Sequence, residues 1–331
     1  MKKMKKVMSL AMAAVIALAG FGLTSCGQAD PVDVSVMALK GPTAMGMVKF
    51  MDDVDAGDVT DNNYEFSIAA SADEVTPALT KGEVDIAALP ANMASILYNN
   101  TDGNVQVLAV NTLGVLYICE TGDTVNSVAD LKGKTIYASG KGATPEYSLN
   151  YILEKNGLEI GKDVQVEWKS EHSECVAALA NDENGIALLP QPFVTTAQTK
   201  NPNIRVALDL TEEWDKLQEG EEAQGTMITG VIVANKEFVE NNPDAVEAFL
   251  SHYEESVNYV NENTDAAAEL VGNYDIVPAQ VAKKALPECN IVYIAGSEMK
   301  DKLSGYLSVL MEQNPKAIGG QLPEDDFYYG Q

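Results

Sequence analysis

Two stretches of the chain repeat one phrase. They are Gly82-Glu83-Val84-Asp85-Ile86-Ala87-Ala88-Leu89-Pro90-Ala91-Asn92 and Asn184-Gly185-Ile186-Ala187-Leu188-Leu189-Pro190-Gln191-Pro192-Phe193. Each is an apolar run of strand length that breaks at Leu-Pro and passes into a helix-like segment. A strand that stops at proline and opens a helix leaves the first amide N–H groups of that helix without partners. Those amides, with the positive end of the helix dipole, point beyond the strand's carboxyl end. In open α/β sheets that is where ligands sit. The chemistry on offer is binding: backbone donors and short polar side chains around a small polar group. Taken alone, the two phrases fit either a facing pair of ligand turns or two ordinary βα units of one sheet.

Other turns are built the same way. Lys40-Gly41-Pro42-Thr43 follows a strand and offers Thr43 as an N-cap. Ser71 stands between a strand and a helix. Ser139-Gly140-Lys141-Gly142-Ala143-Thr144-Pro145-Glu146 gives backbone freedom at its glycines, then Thr144 and Pro145 at a helix start. This loop matches neither a Walker A sequence nor GxGxxG. Bond-making chemistry has little to draw on. The only histidines are His172 and His252, far apart in sequence, and no Ser-His-Asp order or paired-carboxylate motif stands out. His172 could face a cleft or serve as a polar turn residue. The spacings of Cys119, Cys175 and Cys289 match no zinc or redox motif. Cys119 lies in an apolar run and reads as a small buried hydrophobe; a disulfide between Cys175 and another cysteine stays open. The acidic stretch Asp52–Asp58 reads as a solvated loop, since its glycine and closing glutamate do not fall at EF-hand positions. No cofactor or metal is expected.

The elements that must position these turns follow from periodicity. Strands alternate with helices from Val32 to about Leu208, which gives an α/β class. After the apolar strand Met227–Ala234 the chain is mostly helical. Residues 244–262 carry their apolar side chains near one face, as core packing requires. Breaks near Glu120–Asp123 and Gly225–Met227 suggest a first lobe, residues 32–121 and 226–331, interrupted by an inserted second lobe, residues 122–225. Two connections across a waist allow closure around a ligand.

Composition narrows the partners. The chain has 331 residues, is 46% hydrophobic and carries a formal charge of −27. Its single arginine is Arg205. Nothing here could neutralise a run of phosphates, so a nucleic-acid partner is not expected. Residues 1–25 form a basic start, an apolar run and Leu23-Thr24-Ser25 before Cys26. Removing the four lysines of this leader takes the charge from −27 to −31. No later stretch is long and apolar enough to span a bilayer.

The leader resembles a bacterial lipoprotein signal, which implies lipidation of Cys26, a tether over residues 26–31 and a membrane-held protein on the extracytoplasmic face. That lipobox, the phrase Ser127-Val128-Ala129-Asp130-Leu131-Lys132-Gly133-Lys134-Thr135-Ile136, the Gly140–Glu146 loop and the paired Leu-Pro turns resemble the solute-binding proteins of ABC importers. More narrowly, the chain resembles their SsuA/THI5-like branch over nearly the whole mature length. The resemblance implies a two-lobed type II periplasmic-binding-protein fold. It also implies a monomer that delivers a small molecule to an ABC permease in the membrane. Carried onto this sequence, the ligand-binding residues would be Thr43, Met45, Ser71, Asn92, Asn111, Gly142, Thr144, Gln191 and Phe193. Two ligand classes stay open. Helix amides can hold a sulfonate-like anion, yet the field of a protein at −31 and a cleft without arginine suit a neutral or cationic ring, such as a pyrimidine-like vitamin precursor, equally well. Two other functions remain beside import. One is an enzyme on the same fold, resembling a pyrimidine synthase, against which the export signal and the absence of clustered cysteines count. The other is a surface lipoprotein that binds another protein.

Overall fold

The computed structural model describes residues 31–219 and 225–330. The leader, Cys26 and the tether through residue 30 lie outside the described residues. Among the described residues there are eleven strands: β1 (Asp33–Leu39), β2 (Asn63–Ala69), β3 (Ile86–Pro90), β4 (Val105–Leu113), β5 (Leu116–Glu120), β6 (Thr135–Ala138), β7 (Gln165–Trp168), β8 (Ile186–Pro190), β9 (Arg205–Asp209), β10 (Ile228–Asn235) and β11 (Ile291–Ile294). They form two sheets, ordered β11-β4-β10-β3-β1-β2 and β7-β6-β8-β5-β9.

The two sheets repeat one plan. In the first, β1 pairs parallel with β2 and β3, and β10 runs antiparallel between β3 and β4. In the second, β6 pairs parallel with β7 and β8, and β5 runs antiparallel between β8 and β9. Thus β3 and β8, the strands of the repeated Leu-Pro phrase, occupy equivalent places. Both are buried along their whole length, which is why each reads as an unbroken apolar run rather than an alternation. Each stops at proline and hands over to a helix, Ala91–Asn100 and Phe193–Lys200 respectively.

The chain leaves the first sheet after β4, builds the second with β5 to β9, and returns with β10. The run Val115–Cys119, assigned from sequence to the first lobe, becomes β5 and pairs with β8 and β9 in the second sheet. The outward crossing is therefore Gly114-Val115, between β4 and β5. Gly114 sits against the return crossing: a Cβ there would lie 2.2 Å from Thr211 Oγ1 and 2.6 Å from Met227 Cε. Only a residue without a side chain lets the two crossings run this close.

Helices cover both sheets, and one of them ties the lobes together at the back. Trp214, on the helix Leu210–Gln218, is fully buried between Tyr151 and Tyr306, with ring centroids 4.6 Å and 5.4 Å away. Its indole N–H donates to the Gly225 carbonyl. Tyr306 belongs to the helix Gly296–Gln313, from the chain's last third, so first-lobe sequence packs on the second lobe. Phe327 and Tyr328 are buried, and the Phe327 ring lies 5.1 Å from that of Tyr98.

One local expectation changes and one open point closes. The acidic stretch Asp52–Asp58 is not a loop throughout. The helix Val48–Ala56 runs through most of it, Lys49 pairs with Asp53 at 2.5 Å, and Gly57 ends the helix in a left-handed conformation. All three described cysteines are free and buried. Burial pushes the Cys119 thiol up to about 12, in keeping with its reading as a small hydrophobe.

Arg205 is structural. It pairs with Glu120 at the start of the second lobe and donates to the carbonyls of Gly122 (3.2 Å) and Val125 (2.6 Å). Burial alone would raise the Glu120 carboxyl. The amides of Val125 and Thr124, the Thr124 hydroxyl and the guanidinium outweigh it and hold that carboxyl below the usual range.

Candidate functional site

The carboxyl ends of both sheets face a cleft between the lobes. Its outer part is a cavity of about 460 Å³. One wall comes from the first lobe: Lys40 after β1, Ser71 to Asp73 after β2, and Pro90 and Met93 after β3. The other comes from the second lobe: the loop Ser139–Ala143 after β6 and Lys169 to His172 after β7. Three helices of nine residues or more begin on these walls, at Ala72, Thr144 and His172. First-turn amides have no acceptor within their own helix, and the dipoles place partial positive charge at the cavity. Lys40, Lys141 and Lys169 join them on the rim. The carboxylates there are Asp73 and Glu171, both exposed.

Behind this rim lies a smaller chamber of about 70 Å³ that shares Leu39, Lys40, Pro90, Pro145 and His172 with the outer cavity. Its walls are mainly apolar, including Val115, Leu116, Pro190 and Phe193. His172 stands where the two compartments meet. Its Nδ1 lies 2.6 Å from the Ser139 hydroxyl, and its ring centroid is 5.0 Å from that of Phe193. Burial lowers the imidazole to about 4, so the ring is neutral at pH 7. Burial also pushes the neighbouring Cys175 thiol up to about 11, against a hydrogen bond with Ser139 that lowers it. Among the described residues the other ring nitrogen, Nε2, makes no hydrogen bond. Ser139 is itself buried, so this pair lies at the inner end of the outer cavity.

The structure brings five of the nine expected residues to this cleft. Ser71 and Gly142 line the outer cavity. The Gly142 backbone is left-handed (φ 79°) and its N–H donates to Glu146 Oε2 at 2.6 Å, which shapes the loop around the cleft. Thr43, Thr144 and Phe193 line the inner chamber. The Thr43 hydroxyl is spent on the Leu39 carbonyl at 2.5 Å.

The other four stand elsewhere. Met45 is fully buried in the first lobe's core, because the short helix Pro42–Met45 turns it inward. Asn92 is fully buried and spends its amide on a clasp between the lobes: its Nδ2 donates to the carbonyls of Gly142 (3.2 Å) and Ala317 (3.0 Å), and its Oδ1 accepts from Thr144 Oγ1 (3.3 Å). Asn111 is buried beneath Gly230, with Oδ1 accepting from Thr112 Oγ1 and Nδ2 unpartnered. Gln191 caps its own helix, accepting from the Thr195 amide and hydroxyl, and faces a separate groove of about 680 Å³ that Tyr117, Lys284 and Glu288 also line. That groove is larger than the cleft but gathers neither the lysines nor the helix starts.

Lys169 and Ser139 were not among the expected ligand-binding residues, and His172 was weighed from sequence as either cleft-facing or a polar turn residue. The signal for His172 was its place at the first position of the helix after β7, where Ala72 stands after β2 in the first lobe. Lys169 carried none, since its Nζ reaches the rim only by resting over the Tyr137 ring at 5.5 Å and pairing with Glu167 at 2.5 Å.

Comparison with known proteins agrees with this geometry. Residues 57–283 match the family model described as "ABC transporter, phosphonate, periplasmic substrate-binding protein". A binding protein of Brucella abortus is 24% identical over 209 residues, 61% of this chain; the chain spans 62% of that relative's length. Among solved structures, an ABC transporter from Parabacteroides distasonis superposes with a TM-score of 0.73 at 22% identity, covering 90% of this chain and 99% of that one. The periplasmic aliphatic sulphonate binding protein SsuA from Escherichia coli gives 0.69 at 17% identity, over 90% and 96%. The alkanesulfonate-binding protein SsuA from Xanthomonas axonopodis pv. citri, bound to MOPS, gives 0.69 at 14%, over 89% and 96%. These structural likenesses show the fold, the two-lobed periplasmic-binding-protein architecture expected from the sequence.

Proposed function

We propose, from the premise that the chain belongs to the family of periplasmic substrate-binding components of phosphonate ABC transporters, that it captures a small organic oxyanion of the phosphonate or sulfonate type between its lobes. It then presents that ligand to a membrane permease while anchored by a lipid on Cys26. One observation carries the choice of ligand: Lys40, Lys141 and Lys169 meet three helix starts on one rim. In a protein at −31 without its leader, three lysines beside only two lining carboxylates, Asp73 and Glu171, set the cleft apart from the acidic surface at large. The pyrimidine-like alternative loses its main support there, because the argument from net charge applies to the far field and not to a rim with its own lysines.

Each group has a part. The first-turn amides and lysines hold the charged oxygens. Neutral His172 offers its free Nε2 to the head group, with the tautomer set by Ser139 on the other side of the ring. If Ser139 donates to Nδ1, Nε2 carries the proton and faces the oxyanion as a donor. A deep cleft between two lobes also favours a small ligand over a flat protein–protein contact. The family is one of transport binding proteins, and no step of bond-making is assigned to the site.

The test is a thermal-shift screen of the mature protein with Cys26 replaced. The panel holds methyl- and ethylphosphonate, alkanesulfonates, thiamine and its pyrimidine precursors. A ligand that binds only the folded state adds about 2.7 kcal/mol of stability at a hundredfold excess over its Kd. Shifts with the oxyanions and none with the pyrimidines are expected; the reverse pattern would overturn the choice of ligand. Globomycin-sensitive processing, or labelling of the wild type but not of Cys26→Ser by a fatty-acid probe, tests the anchor.

A further inference from the structure

The two compartments of the cleft differ in chemistry, and the difference bears on the organic part of the ligand. Lys141 and Lys169 border the outer cavity alone, while Lys40 and His172 border both compartments. The inner chamber is walled by Leu39, Pro90, Val115, Leu116, Pro190 and Phe193, and among the described residues no carboxylate borders it. Three threonines do border it, and two are spent: Thr43 donates to the Leu39 carbonyl and Thr144 to Asn92 Oδ1. The third, Thr229 on β10, has a buried hydroxyl with no hydrogen-bond partner. A buried hydroxyl left unpaired calls for an explanation, and a ligand group is one. The chamber's size adds a limit. An apolar cavity of about 150 Å³ takes a benzene ring, so about 70 Å³ admits roughly two or three heavy atoms.

We infer that the inner chamber receives the ligand's organic tail, and that the tail is short, uncharged and ends in a hydroxyl that pairs with Thr229: the ligand is a hydroxyalkyl oxyanion, not an aminoalkyl one. The inference rests on the oxyanion reading of the rim. An ammonium in this chamber would shed its water with no carboxylate to receive it and with Lys40 nearby, a cost that nothing in the lining offsets. A plain alkyl tail fits the walls but leaves Thr229 unpaired. A terminal hydroxyl can both donate to and accept from Thr229 Oγ1.

The experiment is calorimetric titration of the mature protein with methyl-, ethyl-, 2-hydroxyethyl- and 2-aminoethylphosphonate, and with the matching sulfonates. Within the head-group series that binds, the hydroxyethyl compound should bind about tenfold tighter than the ethyl one, the gain expected of one good hydrogen bond. The aminoethyl compound should bind about a hundredfold weaker. Thr229→Val should erase the hydroxyethyl advantage and leave ethyl affinity unchanged, and Thr229→Ser should restore it. An aminoethyl ligand that binds as tightly as the hydroxyethyl one would overturn the inference. So would a Thr229→Val variant that weakens both tails equally. Methylphosphonate and methanesulfonate have almost no tail and isolate the rim. If neither binds, the oxyanion reading fails and the inference with it; if one binds and the tail order is not found, the inference alone fails.

Discussion

Asn92 shows how one side chain can be read for the wrong partner. It follows the Leu-Pro break at a helix start, where an amide would serve a ligand well, yet its partners are Gly142, Thr144 and Ala317. Those lie 50, 52 and 225 residues away in sequence, so no local pattern could disclose them. Asn92→Ala leaves the Gly142 and Ala317 carbonyls short of a donor and should cost about 1–3 kcal/mol of stability, read as a lower urea midpoint. An unchanged midpoint with lost ligand affinity would return Asn92 to the list of ligand groups. His172 supports a prediction in pH. The folded ring binds a proton only near pH 4, whereas the unfolded one does so near its ordinary value of 6.5. The unfolded state therefore holds the extra proton between these values, and stability falls as pH drops from about 6.5 to 4. Urea unfolding at several pH values should show this slope, and His172→Asn should flatten it. A wild-type midpoint constant across that window would mean that the ring is not desolvated as described. Thr43, Ser71, Gly142, Thr144 and Phe193 were legible as cleft residues because each sits at a strand-to-helix turn, where local sequence dictates direction. Met45 was not, because its helix is one turn long and its facing depends on what packs beneath.

At the scale of elements, the repeated phrase is the best-read feature. Strands β3 and β8 are buried on both faces, so an apolar run bounded by Gly and Leu-Pro specifies them without help from distant residues. Strand β5 is equally apolar, yet which sheet it joins depends on pairing with β8 and β9, some seventy to ninety positions on. Periodicity says that a strand is buried and not whose neighbour it becomes. The crossing at Gly114 gives this boundary a test. Gly114→Ala drives a Cβ into Thr211 and Met227, and overpacking of this kind costs about 1–3 kcal/mol. A neutral substitution would place the crossings further apart than described. Arg205→Ala removes the guanidinium from Glu120 but leaves that carboxylate its hydrogen bonds from Thr124 and Val125. The expected loss is on the order of 2 kcal/mol, measured by urea unfolding. No loss would show that the hydrogen bonds from Thr124 and Val125 hold Glu120 unaided.

For the whole molecule, two sheets of the same plan face each other, and the exchanged strands β5 and β10 supply the two crossings between them. Packing at the back, through Trp214, Tyr151 and Tyr306, leaves the cleft side open. The total charge was visible from composition, but the gathering of lysines at the cleft was not. Lys40, Lys141 and Lys169 come from three separate turns, and only the fold sets them on one rim. That rim is the centre of the functional account, and the direct measurement is calorimetric titration of ethylphosphonate and ethanesulfonate into the mature protein and into a variant with all three lysines changed to glutamine. At about 1 kcal/mol for each partly exposed charge, the triple variant should bind whichever oxyanion the wild type prefers about a hundredfold more weakly, with its unfolding midpoint unchanged. Equal affinity in the two proteins, or binding of neither oxyanion by the wild type, would contradict an oxyanion held at this rim.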